Sequence, residues 1–182
     1  ESITSGTIKY TRTSGTIDPS SSHTITLTGA ELNTFSTGAL GTVAPLVDGA
    51  IYTIAFNGND AAGNAASEVV VAGITFDTTN PTVTTALTIV TLDNSKASIT
   101  FSEPVYQSGG SLLTFADFGV STTGTAVINT ASSSVATPNN ETFIFTIAYS
   151  TTPVTGDKLT LSGTVYDAAV NSLILSSNVN MN

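Results

Sequence analysis

The sequence predicts an all-β protein built as two antiparallel β-sandwich domains in tandem, and three observations predict it. Short segments that alternate apolar and polar residues recur along the 182 residues, with turn residues between them, as in sandwiches. Hydrophobic residues make up 40% of the chain and many are β-branched, enough for a buried core. Helical periodicity is almost absent. Thr and Ser account for roughly three residues in ten, which suits strands whose outer faces are uncharged but wet.

In the first half the alternation places strands near Gly6–Thr13, His23–Thr28, Ala50–Asn57 and Ser67–Phe76. In the second half it places them near Val83–Thr91, Ala97–Glu103, Thr125–Thr130, Glu141–Tyr149, Lys158–Ser162 and Ser172–Ser176. Phe101, Phe143, Phe145, Tyr149, Phe56 and Tyr52 recur at even spacing and belong on core faces. Two short helical turns are expected. One lies at Gly29–Phe35, and the other at Thr114–Phe118, with Thr114 placed to cap it and Asp117 three residues on.

Between the halves runs Phe76-Asp77-Thr78-Thr79-Asn80-Pro81-Thr82. Pro81 removes an amide donor and restricts Asn80, so a strand ends there and a stiff connection follows. The domains are therefore expected at 1–79 and 80–182.

The halves repeat one another. Asp48-Gly49-Ala50-Ile51-Tyr52 leads through a strand to Asn59-Asp60-Ala61-Ala62-Gly63-Asn64, as Gly156-Asp157-Lys158-Leu159 leads to Tyr166-Asp167-Ala168-Ala169-Val170-Asn171. Upstream, Glu1–Gly6 corresponds to Glu103–Gly109 with a one-residue difference. Thr82 to Ser102 reads as two strands with no counterpart in the first half, so the first domain is expected to lack about two N-terminal strands. Val170 stands where the first half has Gly63, which predicts a turn of another shape. Glu1 begins in mid-pattern with no signal peptide, as expected of a mature or excised fragment.

The charge of -9 and a pI near 4.1 exclude some partners. Four basic side chains, Lys9, Arg12, Lys96 and Lys158, cannot neutralise a run of phosphates, so neither nucleic acid nor an anionic membrane is expected. No apolar run approaches the ~20 residues of a membrane helix. Without cysteine there is no disulfide framework and no thiolate metal site.

Asp48-Gly-Ala-Ile-Tyr-Thr-Ile-Ala-Phe-Asn-Gly-Asn-Asp-Ala-Ala-Gly-Asn64, followed by Phe76-Asp-Thr-Thr-Asn-Pro-Thr82, resembles bacterial immunoglobulin-like repeats of very large surface and adhesin-type proteins. So does Gly6-Thr-Ile-Lys-Tyr-Thr-Arg-Thr-Ser-Gly15 with Leu27-Thr-Gly-Ala-Glu-Leu32. Ile99-Thr-Phe-Ser-Glu-Pro-Val105 and Leu113-Thr-Phe-Ala-Asp-Phe118 look like a diverged relative. The resemblance implies an immunoglobulin-like fold and an extracellular or cell-surface setting. It implies no ligand, because such repeats mostly serve as spacers.

Catalysis is not expected. His23 is the only histidine, and nothing local suggests the carboxylate that would orient it, so it reads as a surface residue at a strand start. Few aromatics and small sandwiches offer no cleft for a glycosidase pair. No phosphate loop or dinucleotide fingerprint occurs, and Gly109-Gly110 reads as a turn.

Acids are the candidate site. If successive strands alternate direction, Asp48 and Asp77 fall at the trailing pole of the first domain, with Glu103 and Asp167 at the leading pole of the second. Four carboxylates, with Asn80 as a further carbonyl donor, suit Ca²⁺ at the junction. The plainer reading makes Asp-Ala-Ala-Gly-Asn a tight turn whose Asp accepts backbone amides, and has Asp77 cap the linker backbone by side-chain hydrogen bonds.

The expected function is a non-catalytic extracellular spacer, stalk or fibre segment. Two alternatives stand beside it. One is a filament or pilus-like subunit completed by strands from a neighbour. The other is an adhesin module that binds a glycan or protein through Gln107–Leu112 and Ser132–Asn140.

Overall fold

The computed structural model describes residues 2–32 and 41–181, and these form an all-β protein of antiparallel sheets with no α-helix. The chain divides into two compact units, Glu1–Thr78 and Thr79–Asn182.

The first unit is organised on one sheet, with β1 (Ser5–Gly15), β2 (His23–Thr26), β3 (Ala50–Asn59) and β4 (Val69–Thr75) in the order β2-β1-β3-β4. Antiparallel register sorts its side chains onto two faces. Ile8 lies opposite both Ile25 and Phe56, Tyr10 opposite Ile54, and Arg12 opposite Tyr52, while Val69, Val71 and Ile74 of β4 face Phe56, Ile54 and Tyr52. That face is apolar; the other carries Thr7, Lys9, Thr11, Thr53 and Asn57. Gly73, at φ 75°, sits in the irregularity that lets Val71 and Ile74 both face inward.

The apolar face is incompletely covered. Ile25, Leu32, Ala44, Ala50 and Tyr52 are buried, but Ile8, Tyr10, Ile54 and Phe56 are only half-buried. Every residue of β4 is exposed. Of the helical turn expected at Gly29–Phe35, residues 29–32 form a turn in which the Glu31 and Leu32 N–H groups both donate to the Thr28 carbonyl; the remainder lies outside the described residues.

The second unit has a deeper core. Strands β5 (Val83–Ile89), β6 (Lys96–Phe101), β9 (Ser134–Ala136) and β10 (Thr142–Thr146) form one sheet in the order β5-β6-β10-β9. A second sheet has the order β13-β12-β7, from β7 (Ser121–Thr123), β12 (Lys158–Tyr166) and β13 (Ser172–Asn180). The short pair β8 (Val127–Ile128) and β11 (Tyr149–Thr151) completes the set. Alternate residues of both larger sheets enter one core: Leu87, Ala97, Ile99, Phe101, Phe143 and Phe145 from one, Leu159, Leu161, Val165 and Leu175 from the other. Phe118 lies between them with its ring centroid 5.0 Å from those of both Phe143 and Phe145. Burying each such side chain contributes about 2–3 kcal/mol, which makes this core the main stabilising feature of the unit.

The sequence places most strands within two or three residues of their observed ends, but it overlooks β7 and β9 and runs β10 and β11 together. The three-residue strands β7 and β9 are too short to show an alternation. The turn at Thr114–Phe118 appears as a 3-10 turn at Phe115–Phe118, in which the Asp117 carboxylate accepts from the Thr114 N–H at 2.7 Å and from its hydroxyl at 2.6 Å.

The altered turn expected at Val170 does not occur. Asp60 N–H donates to the Asn64 carbonyl at 3.0 Å and Gly63 N–H to the Asp60 carbonyl at 3.2 Å; Asp167, Asn171 and Val170 repeat both bonds at the same distances. Val170 meets the geometry by accepting a φ of 71°, where Gly63 has 87°. The side-chain clasp of the turn outweighs the strain of a β-branched residue in that region.

Candidate functional site

The four predicted acids are built by two hairpins. In the first unit, the Gly49 N–H donates to the Phe76 carbonyl at 2.8 Å and the Phe76 N–H to the Ala50 carbonyl at 2.9 Å, so Asp48 and Asp77 stand at one end of the β3–β4 pair. Asp60 closes the opposite end. Asp48 is exposed, and its Oδ1 accepts from both the N–H (2.5 Å) and the hydroxyl (2.7 Å) of Thr78. This oxygen therefore already clasps the backbone beyond β4. Asp77 is half-buried.

In the second unit, Tyr106 and Tyr166 exchange two backbone hydrogen bonds, at 2.7 and 3.0 Å. That bridge draws Glu103, just upstream, towards Asp167, the residue after β12. Their carboxylate oxygens lie within 4.8 Å of each other. Asp167 is buried, with Oδ1 accepting from the Asn171 N–H and Oδ2 from its Nδ2, both at 2.8 Å. Glu103 is half-buried. Asn80, the expected carbonyl donor, is exposed. Two hard-oxygen groups at this separation can share one cation, although calcium requires six to eight oxygens in all. The Asp167 bonds equally match the tight-turn reading.

A constellation that sequence reasoning missed lies in the first unit. His23, expected at the surface, has a side chain only 9% exposed, and its Nε2 is 2.6 Å from Asp18 Oδ2. The cause is the turn after β1. The Ser20 N–H bonds Asp18 Oδ1 at 3.0 Å, and the pairing of Tyr10 with His23 returns the chain alongside. The Tyr52 hydroxyl donates to the same Asp18 oxygen at 2.8 Å while accepting the Val47 N–H at 3.0 Å. Burial alone pushes the Asp18 carboxyl up, but the bonds from His23, Tyr52 and Ser20 outweigh it and hold the carboxyl below its ordinary value. Burial pushes the Tyr52 hydroxyl up. The five-residue spacing of Asp18 and His23 across Pro19 was the available signal. Asp18, in the turn after β1, thus clasps β2 through His23 and β3 through Tyr52.

The loops proposed for ligand binding are ordered by their own bonds. In Gln107–Leu112 the Gln107 N–H donates to the Ser111 carbonyl at 2.9 Å, with Gly109 and Gly110 at positive φ, the expected turn. Ser132–Asn140 is a loop only in part, because it contains β9.

Comparison with protein-family models finds no match, and comparison with curated proteins finds none either.

Proposed function

We propose that the chain is a non-catalytic structural repeat of immunoglobulin-like type, working outside the cell as a spacer, stalk or fibre segment of a bacterial surface protein. The observation that carries this reading is strand order. In the second unit β5-β6-β10-β9 and β13-β12-β7 follow the A-B-E-D and G-F-C orders of the immunoglobulin sandwich. The first unit's β1, β3 and β4 follow C-F-G, with β2 added beyond β1.

The repeat equivalence adds support. The Thr4 N–H donates to the Asn59 carbonyl at 2.8 Å, as the Tyr106 N–H does to Tyr166 at 2.7 Å. A fold repeated in this way, with its polar groups spent on internal turns, suits a mechanical role better than a chemical one. The resemblance of Asp48–Asn64 to surface-protein repeats supplies the extracellular setting.

Calcium belongs to this reading as a stiffening ion, with Glu103 and Asp167 of the second unit as donors.

Single-molecule pulling on the full chain tests the mechanical reading. The second unit is expected to unfold in one step that releases about 350 Å of chain, at a force reproducible between molecules. Gradual extension without a peak would refute it. Calorimetric titration with Ca²⁺ tests the ion: heat that vanishes in Glu103→Gln supports it, and no heat removes calcium from the reading.

A further inference from the structure

The two units treat equivalent faces of equivalent sheets differently. The Thr4–Asn59 and Tyr106–Tyr166 bonds, with the matched Asp60–Asn64 and Asp167–Asn171 turns, set Tyr52, Ile54, Phe56 and Gly58 where Leu159, Leu161, Gly163 and Val165 stand. Val69 pairs with Phe56 as Leu175 pairs with Gly163. Leu161 is 1% and Leu175 3% exposed, whereas Ile54 and Phe56 are half-buried and Val69 is 59% exposed. Val71 and Ile74, on the same face, are 51% and 41% exposed.

What covers this face in the second unit is visible. Leu87 of β5, Ala97, Ile99 and Phe101 of β6, and Phe143 and Phe145 of β10 point into its core, with β5 near β13. Among the described residues no strand of the first unit stands in that place. We propose that the apolar face and free edge of the first unit's sheet form a docking surface for a two-stranded β-hairpin with the chemistry of β5 and β6: antiparallel, alternating, and uncharged on its inward side.

Charge selects this occupant. Val69–Thr75 carries no charged residue in a chain of net charge -9. The charged groups on the apolar face are already committed: the Arg12 guanidinium donates to the Gly15 and Thr16 carbonyls at 2.5 and 2.6 Å, and His23 is held by Asp18. A charged glycan, a nucleic acid or an acidic peptide would find no counter-charge there. The inward residues of the β5–β6 hairpin require none. β4 also ends the sheet, so one of its sides offers backbone N–H and C=O groups to an incoming strand. A second copy pairing β4 to β4 would fill that edge but leave Ile8, Ile54 and Phe56 half-exposed, whereas a hairpin placed as β5–β6 is in the second unit lies over those residues. The surface is independent of where the protein works or whether it bears force.

The test is hydrogen exchange of the full chain with a synthetic Val83–Phe101 peptide as probe. Amides of Val69–Thr75 are expected to slow about tenfold or more at saturating peptide, while those of β12 and β13 are unchanged. A peptide carrying Leu87→Asp and Ile99→Asp is expected to have no effect. Val71→Asp in the full chain, at a half-exposed position that tolerates the change, is expected to abolish the response with exchange elsewhere unaltered. The proposal falls if β4 does not respond, if the aspartate-bearing peptide protects it equally, or if Val71→Asp still responds. It also falls, in favour of a second copy, if protection of β4 rises with chain concentration alone.

Discussion

Asp18 Oδ2 receives both the His23 Nε2 at 2.6 Å and the Tyr52 hydroxyl at 2.8 Å, so one carboxylate oxygen ties β2 to β3. The Asp18 carboxyl is held below its ordinary value of 3.8, so it stabilises the first unit fully above that pH, and the contribution is lost as pH falls through the lower folded value. Asp18→Asn is expected to lower stability at pH 7 and to flatten the loss as pH falls below the ordinary carboxylate value, read from hydrogen exchange of β1. An unchanged acid slope would show that the clasp does not titrate with folding.

Tyr52→Phe keeps the ring of the same clasp but removes its hydroxyl, leaving the Val47 N–H without that acceptor. The expected cost is about 1–2 kcal/mol, read from denaturant unfolding of the full chain.

Val170 at a φ of 71° carries strain that Gly63 avoids in the same turn. Val170 is 60% exposed, so removing its side chain loses little burial. Relief of a left-handed β-branched residue outweighs the extra freedom glycine gives the unfolded chain. Val170→Gly is expected to stabilise the second unit by about 1 kcal/mol, a rise in Tm of about 5 °C. A lower Tm would mean that the turn is unstrained.

Asp157 closes the loop beside Gly124. Its carboxylate accepts the N–H groups of Thr125 (2.9 Å), Val154 (3.1 Å) and Ala126 (3.0 Å), and the Thr125 bond leads in holding its pKa down. A Cβ at Gly124, where φ is 101°, would lie 1.9 Å from Asp157 Oδ1. Gly124→Ala is expected to cost about 2 kcal/mol or more, and Asp157→Asn to reduce the stability lost below pH 4, both by denaturant titration across pH. Asp93, held at about 2 chiefly by its bond from the Ser95 hydroxyl, loses its share in the same direction, between pH 3.8 and about 2.

The two units also predict different core energetics. Phe143 is fully buried, with the Phe101 ring 5.8 Å and the Phe118 ring 5.0 Å away. Phe143→Ala is expected to cost about 3–5 kcal/mol, while Phe56→Ala, on the half-covered face, is expected to cost roughly half as much. Equal losses would show that the face around Phe56 is covered in solution.

The sequence by itself determined the all-β class, the strands with long alternation such as β1 and β3, the first halves of β12 and β13, the Thr114–Asp117 turn, and the repeated Asp-to-Asn loops. Each rests on local chemistry: period-two side chains, or a carboxylate that reaches an amide a few residues away. Of the candidate site, the sequence named the acids, and its reading of the Asp-to-Asn loops as tight turns describes the bonds of Asp60 and Asp167, whereas the clasp on Thr78, expected of Asp77, is made by Asp48. Only the tertiary structure decided that Tyr106 and Tyr166 bridge, that Glu103 thereby meets Asp167, and that His23 is drawn onto Asp18. It also decided that β7, at three residues, is a strand because β12 pairs with it. Non-local register and burial set these features, and the sequence does not state which strands lie side by side. The same cause explains Val69–Thr75: the sequence places a strand there, and only the arrangement of its neighbours leaves it exposed.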